Sequence, residues 1–420
     1  MTIEGIYKLY SKHYLVDTDT RTIRKNAIYF ALKGENFNGN KFAEEALKKG
    51  ALYSIVDEKK FATSNRIILV EDVLETLQRL ATYHRNQLAI PIIALTGSNG
   101  KTTTKELIKV VLETQYKTTA TLGNLNNHIG VPLTLLAMKT DTEVGIVEMG
   151  ANHKKEIGFL CELARPDYGY ITNFGKAHLE GFGSIEGVIE GKSEMYKYLR
   201  SNDKTVFINP KDKIQLEKSK GITSIRFNFE TLNYIDSNPY ITLRLNTEKI
   251  KTNLIGKYNF SNICAAITIG KHFSISNNNI KNALEKYSSN NNRSQIIQLK
   301  NNTIVLDAYN ANPTSMKAAV DNFNSLDLTN KTIILGDMFE LGHEAIREHQ
   351  MLVDYCDALK IEKRFYIGTF FSDTQSSGMK FTSLQEFINY LDKHPLLNNN
   401  SILIKGSRGM ALEQLIDIFK

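Results

Sequence analysis

Gly97-Ser98-Asn99-Gly100-Lys101-Thr102-Thr103-Thr104 joins an apolar run, Ile90 to Thr96, to a stretch of helical pattern. The two glycines let the backbone turn tightly and approach an anion, the amides opening the following helix point at it, and Lys101 adds a positive charge. Thr102 offers a hydroxyl to an accompanying magnesium ion. This is the chemistry of a bound nucleoside triphosphate, with Gly97 to Thr103 as candidate contacts. The general phosphate-loop pattern G-x-x-x-x-G-K-[ST] has glycine where this chain has Leu95, so the match is to a shorter G-x-x-G-K-T-T-T form. A tight strand-to-helix connection without a ligand is the plain alternative, and the Lys-Thr pair argues against it.

Five further places carry chemistry-bearing residues. Glu148 closes the apolar run Val144 to Glu148, where a carboxylate can serve as a second magnesium ligand beside the phosphate loop or as a simple turn residue. His178 follows the next apolar run and suits either a metal-binding imidazole or a hydrogen-bonded loop histidine. Asn259 and Asn262 stand three apart at a helix start; their amides fit a base edge, or else a cap and a solvated neighbour. Asp307 leads into Ala308-Tyr309-Asn310-Ala311-Asn312-Pro313, richer in hydrogen-bonding groups than a turn requires. Lys192 lies in a stretch of helical pattern and, taken alone, reads as a surface lysine.

Positioning these residues requires strand ends. From Ile90 onward, strand-like runs alternate with helical ones: Val144 to Glu148, Tyr168 to Thr172 and Thr205 to Asn209, then Thr303 to Asp307, Thr332 to Gly336, Arg364 to Gly368 and Ser401 to Lys405. Such alternation predicts mostly parallel sheets with helices on their faces, and ligands gather at the carboxyl ends of such strands. A smaller α/β unit precedes the phosphate loop, with strands at Ala27 to Leu32 and Ile67 to Val70 and a helix from Lys41 to Lys49. The polar stretch Ser288 to Arg293 reads as a linker, and the short asparagine runs 277–279 and 398–400 read as loops.

The chain has 420 residues, 42% hydrophobic and 23% charged, which suits a globular protein of about two to four domains. Its formal charge of +7 is spread without a basic block and suits anionic small substrates as well as nucleic acid. Three widely spaced cysteines, Cys161, Cys264 and Cys356, predict free thiols in a reducing compartment. The first residues lack a basic, then apolar, leader pattern, and no run reaches the roughly 20 apolar residues of a membrane span, so a cytoplasmic protein is expected.

In this order, the short phosphate loop, Glu148, His178, the Asn259/Asn262 pair and the Tyr309-Asn-Ala-Asn-Pro313 loop resemble the Mur ligases, ATP-dependent amide-bond formers that build the peptide stem of bacterial peptidoglycan. The resemblance runs from Asp19-Thr20-Arg21 to Lys405-Gly-Ser-Arg408. The segments Gly123 to Leu133, Tyr309 to Pro313 and Leu335-Gly-Asp-Met-Phe-Glu-Leu-Gly342 look like the member that joins D-alanyl-D-alanine to a UDP-N-acetylmuramoyl-tripeptide. It implies three α/β domains: 1–85 for the UDP substrate, 86–288 as the ATPase domain, and 289–420 as a Rossmann-like lid. It further implies that Thr102, Glu148 and His178 hold Mg2+ and that Lys101 meets the terminal phosphates of ATP. Asn259 and Asn262 would meet the adenine, and Arg293 and Asp307 the phosphates and ribose. Asp19, Thr20, Arg21, Lys33 and Gly34 fall near the uridine diphosphate end, and Asn126, Asn127, Tyr309, Asn310 and Asn312 with the substrates. Lys192 falls where the family carries a carbamylated lysine, which turns a cation into a carboxylate for a second magnesium and reverses the surface reading.

Departures from the family pattern are Leu306-Asp307 for a paired acid, Asn292 for a glycine before Arg293, and Asn38-Gly39-Asn40 for an Asp-Gly-His segment. The resemblance also implies a monomer with no nucleic-acid partner and no membrane insertion. The rivals are the third-residue-adding ligase, whose usual Asp-Asn-Pro-Arg run is missing here, folylpolyglutamate synthase, and, from another class, a phosphate-loop switch, motor or silent nucleotide-binding scaffold.

Overall fold

The structure is a computed structural model that describes residues 1–420 except Asn290, Asn291, Lys300, Lys360, Leu397, Asn398 and Lys420. Asn290 and Asn291 of the expected linker and Asn398 of one asparagine run therefore lie outside the described residues.

Three parallel or mostly parallel sheets follow one another along the chain. The first is parallel, in the order Val16–Asp17, Ile28–Phe30, Tyr53–Val56, Ile67–Leu69. Helix Val73–Gln87 closes this unit; Asp72 caps it by accepting from the Glu75 amide, and its Val73, Leu77, Leu80 and Ala81 face is buried. A small hairpin, Lys33–Gly34 with Phe37–Asn38, stands off the sheet. The expected helix from Lys41 is a 3-10 turn, Gly39–Phe42, running into helix Ala43–Lys48.

The middle sheet has six parallel strands in the order Thr223–Arg226, Thr205–Ile208, Tyr168–Ile171, Ile92–Thr96, Val144–Glu148, Thr118–Ala120. Strands Ile92–Thr96 and Val144–Glu148 are buried along their whole length, as expected of strands covered on both faces. The chain leaves Ile92–Thr96 to one side and later returns on the other, so a crevice opens at the carboxyl end of this strand, where the phosphate loop lies. Helix Phe260–His272 is buried from Asn262 to Gly270 and packs against helix Lys101–Leu112. The alternation pattern did not anticipate the antiparallel sheet Leu232–Ser237, Tyr240–Leu245, Glu248–Ile255, which interrupts the βα rhythm.

The last sheet runs Gln295–Leu299, Asn302–Asp307, Ser401–Lys405, Lys331–Gly336, Lys363–Ile367, Met379–Phe381. It is parallel except at one edge, where Gln295–Leu299 pairs antiparallel with Asn302–Asp307. Pairing of Asp307 with Lys405 sets two charged residues side by side at a carboxyl end. Among the described residues, no helix is long and apolar enough to cross a membrane. The three cysteines are free and buried.

Candidate active site

The phosphate loop owes its shape to two glycines. Gly97 has φ +143, and a side-chain carbon there would meet Thr172 Oγ1 at 1.9 Å; Gly100 has φ +79, and one there would meet the Asn262 amide at 2.9 Å. Neighbouring polar groups pin the loop from below. Ser98 Oγ donates to the Gly175 carbonyl at 2.6 Å, and Thr172 Oγ1 donates to the Asn99 carbonyl at 2.6 Å. The Lys101 ammonium folds back onto the Gly97 carbonyl at 2.7 Å. Burial pushes its pKa below the ordinary lysine value, and Glu148 opposes that shift. Thr103, on the first turn of the helix, lines the same cleft.

Glu148 is 1% exposed. Its Oε1 accepts from Thr102 Oγ1 at 3.2 Å and from Asn126 Nδ2 at 2.9 Å, while Oε2 has no hydrogen-bond partner. Lys105, which the sequence reading passed over, lies 3.8 Å from that oxygen and donates to the Thr121 carbonyl at 2.7 Å. Its signal was a lysine one turn after Lys101, on the helix face that meets the sheet.

Lys192 is 0% exposed, at the end of helix Ile185–Lys192. The surface reading fails because Phe182 and the neighbouring helices close over it, with the Nζ 5.4 Å from the Phe182 ring centre. Its nitrogen has no hydrogen-bond partner, and burial, reinforced by Lys101, drives its pKa well below the lysine value.

His178 lines the cleft, but its contact is with the last unit: Nδ1 lies 2.5 Å from Glu340 Oε2, too far out of line for a full hydrogen bond. The expected four-ligand set is therefore only half drawn together, as Thr102 with Glu148. Among the described residues, no three His, Cys, Asp or Glu side chains converge into a metal-binding group.

Asn259 and Asn262 are buried rather than splayed toward a base. Asn259 Nδ2 donates to the Ile255 carbonyl and its Oδ1 accepts from Asn262 Nδ2 at 2.8 Å. Both still line the cleft.

The last unit supplies the opposite wall. Arg293 stacks on the Tyr309 ring at 3.8 Å, and Arg408 approaches the same ring at 4.9 Å. Asp307 accepts from Lys405 Nζ at 2.6 Å and from the Ser294 amide at 3.1 Å, and Lys405 also donates to the Asn310 carbonyl. In the sequence Lys405 stands out only as the first residue of Lys405-Gly-Ser-Arg408. Asn312 caps helix Pro313–Ser325 with a capping box, and its Nδ2 donates to Asn99 Oδ1 at 2.7 Å, joining the last unit to the phosphate loop. Asn127 Oδ1 accepts from the Ile129 and Gly130 amides where helix Gly130–Ala137 begins, so that oxygen is committed to the backbone.

The first-unit candidates lie outside this cleft. Arg21 pairs with Asp19 at 2.6 Å, the Thr20 carbonyl accepts from Lys49, and Lys33 pairs with Asp57 at 2.8 Å, next to Gly34 in the hairpin.

The cleft between the middle and last units holds about 590 Å3, within the range of small-molecule sites. It combines an anion cradle with a carboxylate, Glu148, one oxygen of which has no hydrogen-bond partner; Lys192 is not among its lining residues. Comparison with known proteins agrees along the whole chain. The Mur ligase family catalytic domain matches residues 12–85, the Mur ligase middle domain 95–270, and the Mur ligase glutamate ligase domain 292–408. The UDP-N-acetylmuramoyl-tripeptide--D-alanyl-D-alanine ligase of Bacillus subtilis (strain 168) is 34% identical, over 96% of this chain and 92% of the relative. The ligase of the same name from Escherichia coli (strain K12) is 31% identical over 96% and 92%. A crystal structure of MurF from Acinetobacter baumannii superposes with a TM-score of 0.86 at 29% identity, covering 96% of this chain and 92% of that one. With all three domains matched in order and full-length relatives above 30% identity, the chain belongs to the Mur ligase family.

Proposed function

We propose that this chain is the ligase that joins D-alanyl-D-alanine to UDP-N-acetylmuramoyl-tripeptide at the expense of ATP. The observation that carries the proposal is the cleft itself: the phosphate loop and Glu148 of the middle unit face Arg293, Asp307 and Tyr309 of the last unit across one cavity. The full-length relatives named above point to the same substrates. Residues 1–85 then take the UDP substrate, through Asp19, Thr20, Arg21, Lys33 and Gly34; residues 86–288 hold ATP, and 289–420 form the lid.

In this reading the tripeptide carboxylate attacks the γ-phosphate of ATP, forming an acyl phosphate and releasing ADP. The dipeptide amine then attacks the acyl carbon, expelling phosphate and losing a proton as the amide forms. The chain must hold several anionic groups together. The Gly97 to Thr103 backbone and Lys101 take the phosphates; Lys101 leaves the Gly97 carbonyl to do so. Arg293 adds positive charge from the lid, Asp307 faces the ribose, and Asn259 and Asn262 border the adenine. Asn126, Asn127, Tyr309, Asn310 and Asn312 frame the acceptor side, and the seated lid excludes water that would hydrolyse the acyl phosphate.

The residues present fit Mg2+. Glu148 has a buried oxygen without a hydrogen-bond partner beside the Thr102 hydroxyl, and the Lys192 amine, its pKa lowered by burial, would become a carboxylate ligand on adding CO2. His178 would complete the set. Bound magnesium would neutralise phosphate charge. The reading includes a cytoplasmic location and a monomer, with no nucleic-acid partner.

The test supplies purified protein with ATP, D-alanyl-D-alanine and a panel of UDP-tripeptides carrying lysine or diaminopimelate, and weighs the products. A pentapeptide from at least one, with phosphate release requiring both peptide substrates, is the expected result. Phosphate release with no pentapeptide from any of them overturns it.

A further inference from the structure

The segment Asp337-Met-Phe-Glu340-Leu-Gly342 belongs to the last unit, yet its tip rests on the middle one. Glu340 Oε2 lies 2.5 Å from His178 Nδ1, and its carbonyl accepts from the Glu180 amide at 3.2 Å. Gly342, at φ +56, lies against the Glu180 backbone, where a side-chain carbon would approach Glu180 Cα at 3.4 Å. Nearby, Lys176 pairs with Glu348 at 2.5 Å, and its amide donates to Thr314 Oγ1 at 3.0 Å. The loop after strand Tyr168–Ile171 is therefore gripped at several points by residues more than 130 positions later. Glu340 and His178 both adopt left-handed backbone conformations, at φ 62 and φ 52, which non-glycine residues enter only when the surroundings demand it. Asp337 anchors the base of the segment by accepting from the Phe370 and Phe371 amides at 3.0 Å each.

We propose that Glu340 is a cross-unit positioning residue: by pairing with His178 it orients the imidazole in the nucleotide cleft only when the last unit is seated. A carboxylate held 2.5 Å from one ring nitrogen restrains ring rotation and leaves the other nitrogen for the cleft. The middle unit alone then lacks a fully oriented site, so docking of the lid and readiness for nucleotide chemistry are one event. The inference rests on the ligase reading above.

The test is a double-mutant cycle over His178→Asn and Glu340→Gln, read by calorimetric binding of ADP with Mg2+ and by kcat and KM for ligation. Each single change is expected to weaken ADP binding about fivefold and lower kcat about tenfold, with the KM for the UDP-tripeptide within about twofold. The double variant should be no worse than H178N alone, and Glu340→Asp, which keeps the carboxylate, should recover part of the loss. Wild-type behaviour of E340Q, or a double variant that loses the product of the two single losses, overturns the proposal. So does an E340Q protein that melts early and is not improved by E340D, since that marks a merely structural residue. Failure of the wild type to make pentapeptide sinks the ligase reading instead; the ADP-binding cycle still decides the pairing.

Discussion

Asn40 in the first unit is fully buried, and every polar atom of its amide is engaged. Its Nδ2 donates to Asn38 Oδ1 and Asp57 Oδ1, and its Oδ1 accepts from the Asp57 and Glu58 amides. In the middle unit Lys192 is equally buried and its nitrogen has no hydrogen-bond partner, and in the cleft that unit shares with the last one Glu148 Oε2 has none either. Burying a polar group without a partner costs about 1–3 kcal/mol, a cost that a bound ligand or ion at the cleft would offset. The first unit uses buried polarity to hold its shape. The cleft holds it in reserve for a ligand. The surface pairs Asp19–Arg21 and Lys33–Asp57 fall with the first class, because each charge is already met by a neighbour.

Substitutions should separate the two classes. The largest effect is expected for Lys101→Ala, which should lower kcat at least ~100-fold by removing charge from the developing phosphate, with an unchanged melting temperature; retained ligation would break the assignment. Lys192→Met should follow, losing ~100-fold in rate while the protein melts no earlier than wild type, since an unpaired amine is exchanged for an apolar chain. The sign of its pH dependence is fixed. The folded pKa of Lys192 lies below the unfolded value, so the unfolded chain binds the extra proton between the two. Wild-type stability should therefore rise with pH across that window, an increment that K192M lacks in paired thermal melts.

Asn40→Ala should do the reverse, costing about 1–3 kcal/mol in denaturant unfolding, with kcat within about twofold. If it abolished ligation without loss of stability, the contrast between the units would fail. The smallest effect is expected for Arg21→Ala. Its exposed pair contributes little to stability, so the melt should not move, and the KM for the UDP-tripeptide should rise about threefold at constant kcat.

How much could be read in advance differs between these regions for a physical reason. The strand, two glycines, lysine and threonine of the phosphate loop are contiguous, so local backbone rules suffice to place them, and Ile92–Thr96 and Lys101–Leu112 form as expected. Most strands of the last sheet were likewise legible from short apolar runs. The antiparallel sheet Leu232–Ile255 was missed because its strands mix charged and apolar residues around polar turns and carry no βα rhythm. Lys192 shows the limit most plainly: its own helix carries the charges of a solvated face, and only the packing of Phe182 and neighbouring helices buries it. The resemblance to a family corrected that reading; local pattern did not. Asn259 and Asn262 were placed at the right helix start, but their mutual hydrogen bond depends on how tightly that helix lies beneath Gly100.

Glu340 is the residue that sequence left mute. It sits inside a quoted motif, 162 positions from His178, and nothing in its spacing names a partner. By itself the sequence determined what the chain can chemically hold: a triphosphate on the Gly97 to Thr103 loop, a carboxylate at the next strand end, and parallel sheets that bring such ends together. Those properties follow from short-range sterics and from periodicity along the chain. The tertiary structure alone decided which groups would be left unsatisfied and which would meet across the cleft. Both depend on how separately folded units seat against each other, and residues far apart in the chain acquire a common environment only when they do.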